Sequence, residues 1–411
     1  MPQVPARGAS RHANFRYYLM VRVLTTTASE MQAVAVAWQV YGLTHRPVDL
    51  GLVGLAQFLP GILLFLVAGQ TADRFPRQRI LQVCCAGFAL CSLLLLALTW
   101  HGFSSVFPIY GVLLMNGTVR AFNGPAGQAF LPLLVTEEHF PKAVAWNSSI
   151  FQAATIAGPV AGGLLYGWTA SPTLVYTCAA IEYLAALAML AGIRVLALPG
   201  RRPAASYSMA LEGLRYIGRN KLVLGAISLD LFAVLLGGAV ALLPVYAREI
   251  LKIGASGLGI LRSAPGVGAV SMALLVSHWP LRRHAGAIML WCVCGFGMFT
   301  VIFGLSRRLW LSLAALALIG ACDMVSVIVR HTLVQLSTPD EMRGRVSAVN
   351  MVFIGASNEV GQFESGITAQ WFGTVPAVVL GGLGTIAIVA LWAWRFPALR
   401  RVDALVLGDR I

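Results

Sequence analysis

Apolar runs long enough to cross a bilayer, separated by short polar breaks, recur along the whole chain. A helix needs about 20 mostly apolar residues to span the hydrocarbon core. Runs of that kind fall near 17–43, 50–71, 79–100, 106–131, 142–169 and 173–197. A polar stretch follows, with Pro199, Gly200, Arg201, Arg202 and Pro203, and then six more runs near 221–249, 256–278, 284–305, 309–336, 342–372 and 375–396. The pattern predicts an all-α membrane protein: a six-helix bundle over 1–197, a cytoplasmic linker over 198–220, and a second bundle with a tail over 221–411. Within the linker, Met209 to Asn220 is amphipathic, with Leu211, Leu214 and Ile217 on one face, and is expected to lie on the membrane surface. The first run lacks a small-residue cleavage site and is read as a retained helix rather than a signal peptide.

Composition agrees with that pattern. Of 411 residues, 58% are hydrophobic and 11% charged, where a soluble domain carries about 25% charged residues. The net charge of +14 would raise nucleic acid as a partner in a soluble chain. Here it is explained by basic residues on cytoplasmic loops, so no nucleic-acid partner is expected. With both termini in the cytoplasm, inner segments hold 21 of the 30 Lys and Arg, outer loops five and the spans four. The reverse orientation would invert the bias, which places both termini inside a multi-pass protein of the bacterial inner membrane. The seven cysteines all fall in apolar runs and read as packing residues. No Walker A motif or clustered histidine set points to ATP or a metal, so no cofactor is expected.

The halves resemble each other. Gly54 to Gly61 (GLAQFLPG) matches Gly259 to Gly266 (GILRSAPG) at an offset of 205, and Val144 to Asn147 (VAWN) echoes Ser347 to Asn350 (SAVN) at 203. Two distant patches with nearly one offset argue for a duplicated six-helix unit, as in transporters whose halves are related by an axis along the membrane normal.

Two motifs carry further meaning. The loop after the second run reads GQTADRFPRQRIL over residues 69–81, and Gly69, Ala72, Asp73, Arg74, Arg77 and Leu81 match the GxLaDRxGRkxxL loop of the major facilitator superfamily. Thr71 and Pro76 depart from it. The resemblance implies a conformational latch in which Asp73 accepts hydrogen bonds from a helix N-terminus, that of the eleventh span near Arg343 to Arg345. In the second half His278 stands where Asp73 would align, although Arg282 aligns with Arg77, so the second latch is degraded. In the fifth span Ala154, Gly158 and Gly162 recur every fourth residue, a stripe that admits another helix closely, and Pro159 removes a backbone donor. Gly158, Pro159, Gly162 and Gly163 resemble the GPxxGG helix of facilitator antiporters. Leu50 to Leu55 (LGLVGL), Thr338 to Val346 (TPDEMRGRV) and Asn350 resemble the bacterial branch that includes enterobactin exporters and macrolide-efflux proteins. That resemblance implies twelve transmembrane helices in the major facilitator fold, two pseudo-symmetric bundles and a monomer that exports small molecules.

Charges at membrane depth are costly and mark pathways or paired sites. The acids in spans are Glu30, Glu182, Asp230, Asp323, Glu359 and Glu364, and the arginines are Arg22, Arg120, Arg262 and Arg330. In the facilitator fold the first, fourth, seventh and tenth helices line the cavity, and these carry Glu30, Arg22, Arg120, Asp230 and Asp323. Glu30, Asp323, Asp230 and Glu359 are the candidates for proton coupling, and Arg22 and Arg120 for the substrate cavity. Offset 203 maps Arg120 onto Asp323. Glu359 and Glu364, five apart, lie on different faces of one helix. Buried structural ion pairs are the alternative for several of these groups.

The expected function is efflux of amphiphilic molecules of drug or siderophore type, driven by proton antiport through alternating access, with the proton gradient in place of a cofactor. A facilitator or importer is the second reading, permitted by the loop motif and disfavoured by the GPxxGG helix. A lipid-modifying enzyme would need a nucleophile, acid and base clustered near an interface. A non-transporting sensor would need a domain to relay its signal. Neither feature is evident.

Overall fold

The structure is a computed structural model that describes residues 7–102, 105–193, 207–279 and 284–403. The linker residues 199–203 and Arg282 lie outside the described residues.

Helices stand at each of the twelve expected places. The first half holds α1 (Arg7–Thr44), α2 (Pro47–Leu63) continued by α3 (Phe65–Arg74), α4 (Arg77–Trp100), α5 (Phe107–Phe130), α6 (Phe140–Thr169) and α7 (Thr173–Gly192). The linker helix α8 (Tyr207–Arg219) leads into the second half. There α9 (Lys221–Leu236) and the single turn α10 (Leu243–Val245) form the seventh place. They are followed by α11 (Gly254–His278), α12 (Ala285–Leu305), α13 (Leu309–Leu336), α14 (Asp340–Phe372), α15 (Thr374–Arg395) and the short α16 (Pro397–Arg400).

Among the described residues eight helical segments are long and apolar enough to cross a membrane, and nine if the broken pair α2 and α3 is one span. The other three are α1, α5 and α14, at 38, 24 and 33 residues. Length is therefore no obstacle. They fall short in apolarity because α1 carries Arg22 and Glu30, α5 carries Asn116, Arg120 and Asn123, and α14 carries Asn358, Glu359, Gln362 and Glu364. Side chains of this kind within a span face protein or a watery interior rather than lipid. The second span breaks at Leu64, just after Pro60 and Gly61, where a missing amide donor and a flexible residue ease bending.

The chain forms two compact units, Met1–Leu43 with Ala56–Ala205, and Thr44–Leu55 with Ser206–Ile411. In the first, Tyr18, Phe88, Phe130 and Tyr183 anchor the core between α1, α4, α5 and α7. In the second, Leu229, Met289, Val329 and Leu399 do so between α9, α12, α13 and the tail. The same pairs of helices pack in both. The third place packs on the fourth and sixth, and the second on the fourth: α4 on α5 and α7 with α3 on α5, then α12 on α13 and α15 with α11 on α13. One folding pattern used twice is what the offset of 203 to 205 implies.

The linker helix is docked on the second unit. Ile217 is buried with Val223, Ile227, Val334 and Val346, Tyr216 Oη donates to the Ser337 carbonyl at 2.5 Å, and Glu212 pairs with Arg345. The expected apolar face splits: Ile217 turns inward while Leu211 and Leu214 stay exposed.

Candidate functional site

In the first unit the small-residue stripe of α6 meets the helix that carries Glu30. A methyl group on Gly158 would lie 2.6 Å from Glu30 Cβ and 3.2 Å from the Thr27 carbonyl oxygen, and one on Gly162 would lie 2.7 Å from Met31 Cα. Only residues without a Cβ let the two helices approach so closely. Pro159 and Gly163 are buried in the same stretch. Polar contacts fix α1 from its other sides. Ser92 Oγ of α4 donates to Gln32 Oε1 at 2.6 Å, Tyr176 Oη of α7 donates to Gln39 Oε1 at 2.6 Å, and Gln39 Nε2 donates to Thr99 Oγ1 at 3.0 Å. Arg22 lays its guanidinium 5.5 Å from the centre of the Phe151 ring on α6, a cation–π contact. Arg120 is exposed on α5.

In the second unit Asp230 of α9 forms an ion pair with Arg330 of α13, and both are almost wholly buried, at 6% and 2% exposure. Beside the pair is a cavity of about 10 Å³ whose wall includes Asp230, Asp323, Cys322, Ser326, Val293 and Phe296. That volume suits about one water molecule. Two coupling candidates from different helices, Asp230 and Asp323, thus share one small cavity whose other walls are largely apolar.

The acids of α14 divide as their spacing implies. Glu359 accepts from Gln362 Nε2 at 3.2 Å and faces the start of α2, where a methyl group on Gly54 would lie 3.0 Å from Glu359 Oε2. Gly51 of the same turn sits against Phe363, and Gly366 against Pro47, so the LGLVGL segment is glycine-rich where α2 meets α14. Glu364 instead accepts from Thr368 Oγ1 at 2.8 Å. In the loop motif, Arg77 Nη1 donates to the Ala129 carbonyl at 2.9 Å, and Gln78 Nε2 donates to the carbonyls of Leu190 and Ile193, both at 2.7 Å. Gly69, Asp73 and Arg74 lie at the end of α3, with Asp73 half-buried and Arg74 exposed. At the start of α14, Arg343 Nε donates to the Gln335 carbonyl at 3.1 Å and Arg345 is held by Glu212.

Residues 8–407 match the transmembrane secretion effector family. The chain belongs to that family. The chain is 27% identical over 380 residues to the enterobactin exporter EntS of Shigella boydii serotype 4, covering 91% of this chain and 86% of the relative. The EntS of Escherichia coli O139:H28 gives the same identity and coverage. Among solved structures, a bacterial homolog of the human lysosomal transporter Spinster superposes with a TM-score of 0.72 at 13% identity, covering 96% of this chain and 97% of that one. A bacterial homologue of the iron transporter ferroportin superposes at 0.69 with 14% identity, covering 95% and 99%. The protein is therefore an integral inner-membrane transporter of the major facilitator fold, an efflux protein for small molecules and not an enzyme.

Two features are not legible in the sequence on its face. The pairing of Arg330 with Asp230 is hidden, because nothing in one helix reveals which charge a neighbouring helix presents. The role of Gly361 shows only through the repeat, whose offset of 203 maps Gly158 onto it. A methyl group on Gly361 would lie 2.9 Å from the carbonyls of Val234 and Leu235 on α9, so it does in the second unit what Gly158 does in the first.

Proposed function

We propose that this protein exports amphiphilic small molecules of siderophore or drug type by proton antiport, as a monomer with both termini in the cytoplasm, through alternating access of its two pseudo-symmetric halves. The observation that carries the proton half of this reading is the chamber shared by Asp230 and Asp323. A carboxylate within a span either takes up a proton or pairs with a cation. Arg330 accounts for Asp230, which leaves Asp323 as the group whose charge a proton can cancel. Glu30, seated on the Gly158 seam, is the corresponding candidate of the first unit. Arg22 and Arg120 are the candidate cations for an anionic part of the substrate, and the likeness to enterobactin exporters supports a bulky polar cargo.

The test is accumulation in inverted membrane vesicles with an acid lumen, using enterobactin in one arm and ethidium in the other. Accumulation of either that collapses when an ionophore dissipates the pH gradient is the expected result. Equal uptake with and without the gradient would leave facilitated diffusion and end the antiport reading.

A further inference from the structure

The buried pair of Asp230 and Arg330 has more donors than one carboxylate uses. A guanidinium carries five N–H donors, and Arg330 Nε is buried with no acceptor among the described residues. A buried ion pair is weak support for stability, because desolvating two charges offsets much of their attraction. Asp323 and Arg330 are seven residues apart on α13. Two helical turns return to the same face, about 10 Å along the axis. Helical side chains lean toward the N-terminus, which tilts Arg330 toward Asp323. Ser326 lies between them in sequence, and the cavity of about 10 Å³ is lined by Asp230, Asp323 and Ser326.

We propose that Arg330 is a counter-ion exchanged between Asp230 and Asp323 during the transport cycle. While Asp323 is protonated, Arg330 holds Asp230. When the O–H bond of Asp323 breaks, the proton passes through water in the cavity to the Asp230 carboxylate, which becomes neutral, and Arg330 turns its open donors to the new carboxylate of Asp323. Loss of that proton from Asp230 and reprotonation of Asp323 return Arg330 to Asp230. Arg330 is thus a positioning residue that keeps a buried negative charge compensated in both states. Among the described side chains, the other ionisable groups of α9, α13 and the helices packed on them are Lys221 of α9, His331 of α13, Glu212, Arg215, Tyr216 and Arg219 of α8, Arg262 and His278 of α11, Cys292 and Cys294 of α12, Glu341, Arg343, Arg345, Glu359 and Glu364 of α14, Arg395 of α15 and Arg400 of α16. None of these lines the chamber, where Cys322 is the one further ionisable group among the described residues.

The inference rests on the antiport reading, and its test separates the two. Dicyclohexylcarbodiimide enters from lipid and modifies protonated carboxyl groups, and modified peptides are counted by mass spectrometry on the full chain in nanodiscs near neutral pH. In the unmodified sequence Asp323 should label and Asp230 should not. In Asp230→Asn the freed guanidinium settles on Asp323, so labelling there should fall about tenfold, the effect of an interaction worth about one pH unit. The double variant D230N/R330Q should regain it. Absence of label on Asp323 in the unmodified sequence would overturn the proton-carrier reading itself. Label present there and unchanged in D230N would overturn only the exchanged counter-ion. A D230N protein that fails to fold would also overturn it, since Arg330 would then have no second partner.

Discussion

Gly158 stands directly over Glu30: a methyl group placed on the glycine would fall 2.6 Å from the Cβ of the acid. The contact is with the root of the Glu30 side chain, not its flexible end. Gly158→Ala should therefore cost about 1–3 kcal/mol, the usual penalty of overpacking, and Glu30→Ala should not relieve it. Only Glu30→Gly removes the clashing atom. Gly162→Ala meets backbone instead, 2.7 Å from Met31 Cα and 2.8 Å from its carbonyl oxygen, and should cost at least as much. Thermal unfolding midpoints in detergent, read beside efflux from whole cells, test this order. Recovery of G158A by E30A would contradict it.

Asp230 and Arg330 give a second, independent stability expectation. Removing one member of a buried ion pair strands the other charge, typically at a cost of about 3–5 kcal/mol. Arg330→Gln leaves Asp230 without its cation and should approach that figure. The double variant D230N/R330Q strands nothing and should recover most of the loss. Unfolding midpoints of the two proteins decide it, and a double variant no more stable than R330Q would show that the pair acts through something other than charge balance.

The architecture was legible because lipid imposes a simple rule on sequence. Apolar length placed the helices, and two short echoes exposed the duplication that the paired helix contacts repeat. The glycine stripe was legible too, since close packing needs small residues at fixed spacing. Pairing between helices was not. Asp230 with Arg330 and Glu212 with Arg345 depend on the rotation of each helix, which composition leaves open. Glu359 and Glu364 likewise needed the structure to show which one faces α2. Glu182 has a buried carboxylate oxygen with no hydrogen-bond partner among the described residues, and depth alone gives no sign of that.

The docked linker helix offers graded substitutions. Gly213 lies where a methyl group would sit 2.9 Å from the Arg345 carbonyl oxygen, so Gly213→Ala should cost about 1–3 kcal/mol by overpacking. Tyr216→Phe loses the hydrogen bond to Ser337 and should cost about 0.5–1.5 kcal/mol. The Glu212–Arg345 pair is partly solvent-exposed, so Glu212→Gln should cost under about 1 kcal/mol, less at high salt. If the helix merely rested on the bilayer, all three would be near neutral, which detergent unfolding midpoints would reveal.

The tail that follows α15 closes the exposed start of α12. The first amides of a helix lack partners within it, and here the tail supplies acceptors. His284 N donates to Asp403 Oδ1 at 2.9 Å, while Ala285 N and Gly286 N donate to the carbonyls of Asp403 and Val402 at 3.3 and 3.1 Å. Between these contacts and α15, Leu399 is fully buried in the second core. Two of the three acceptors are backbone, so Asp403→Ala should cost only about 1 kcal/mol, as the loss of one cap does. Leu399→Ala creates a cavity and should cost about 2–5 kcal/mol. Truncation after Phe396 removes caps and core together, and should lower the unfolding midpoint more than either substitution. Hydrogen exchange supplies the local check: the amides of 284–286 should lose protection in the truncated protein and keep most of it in D403A. Equal protection in both would mean that α12 is capped by something other than its tail.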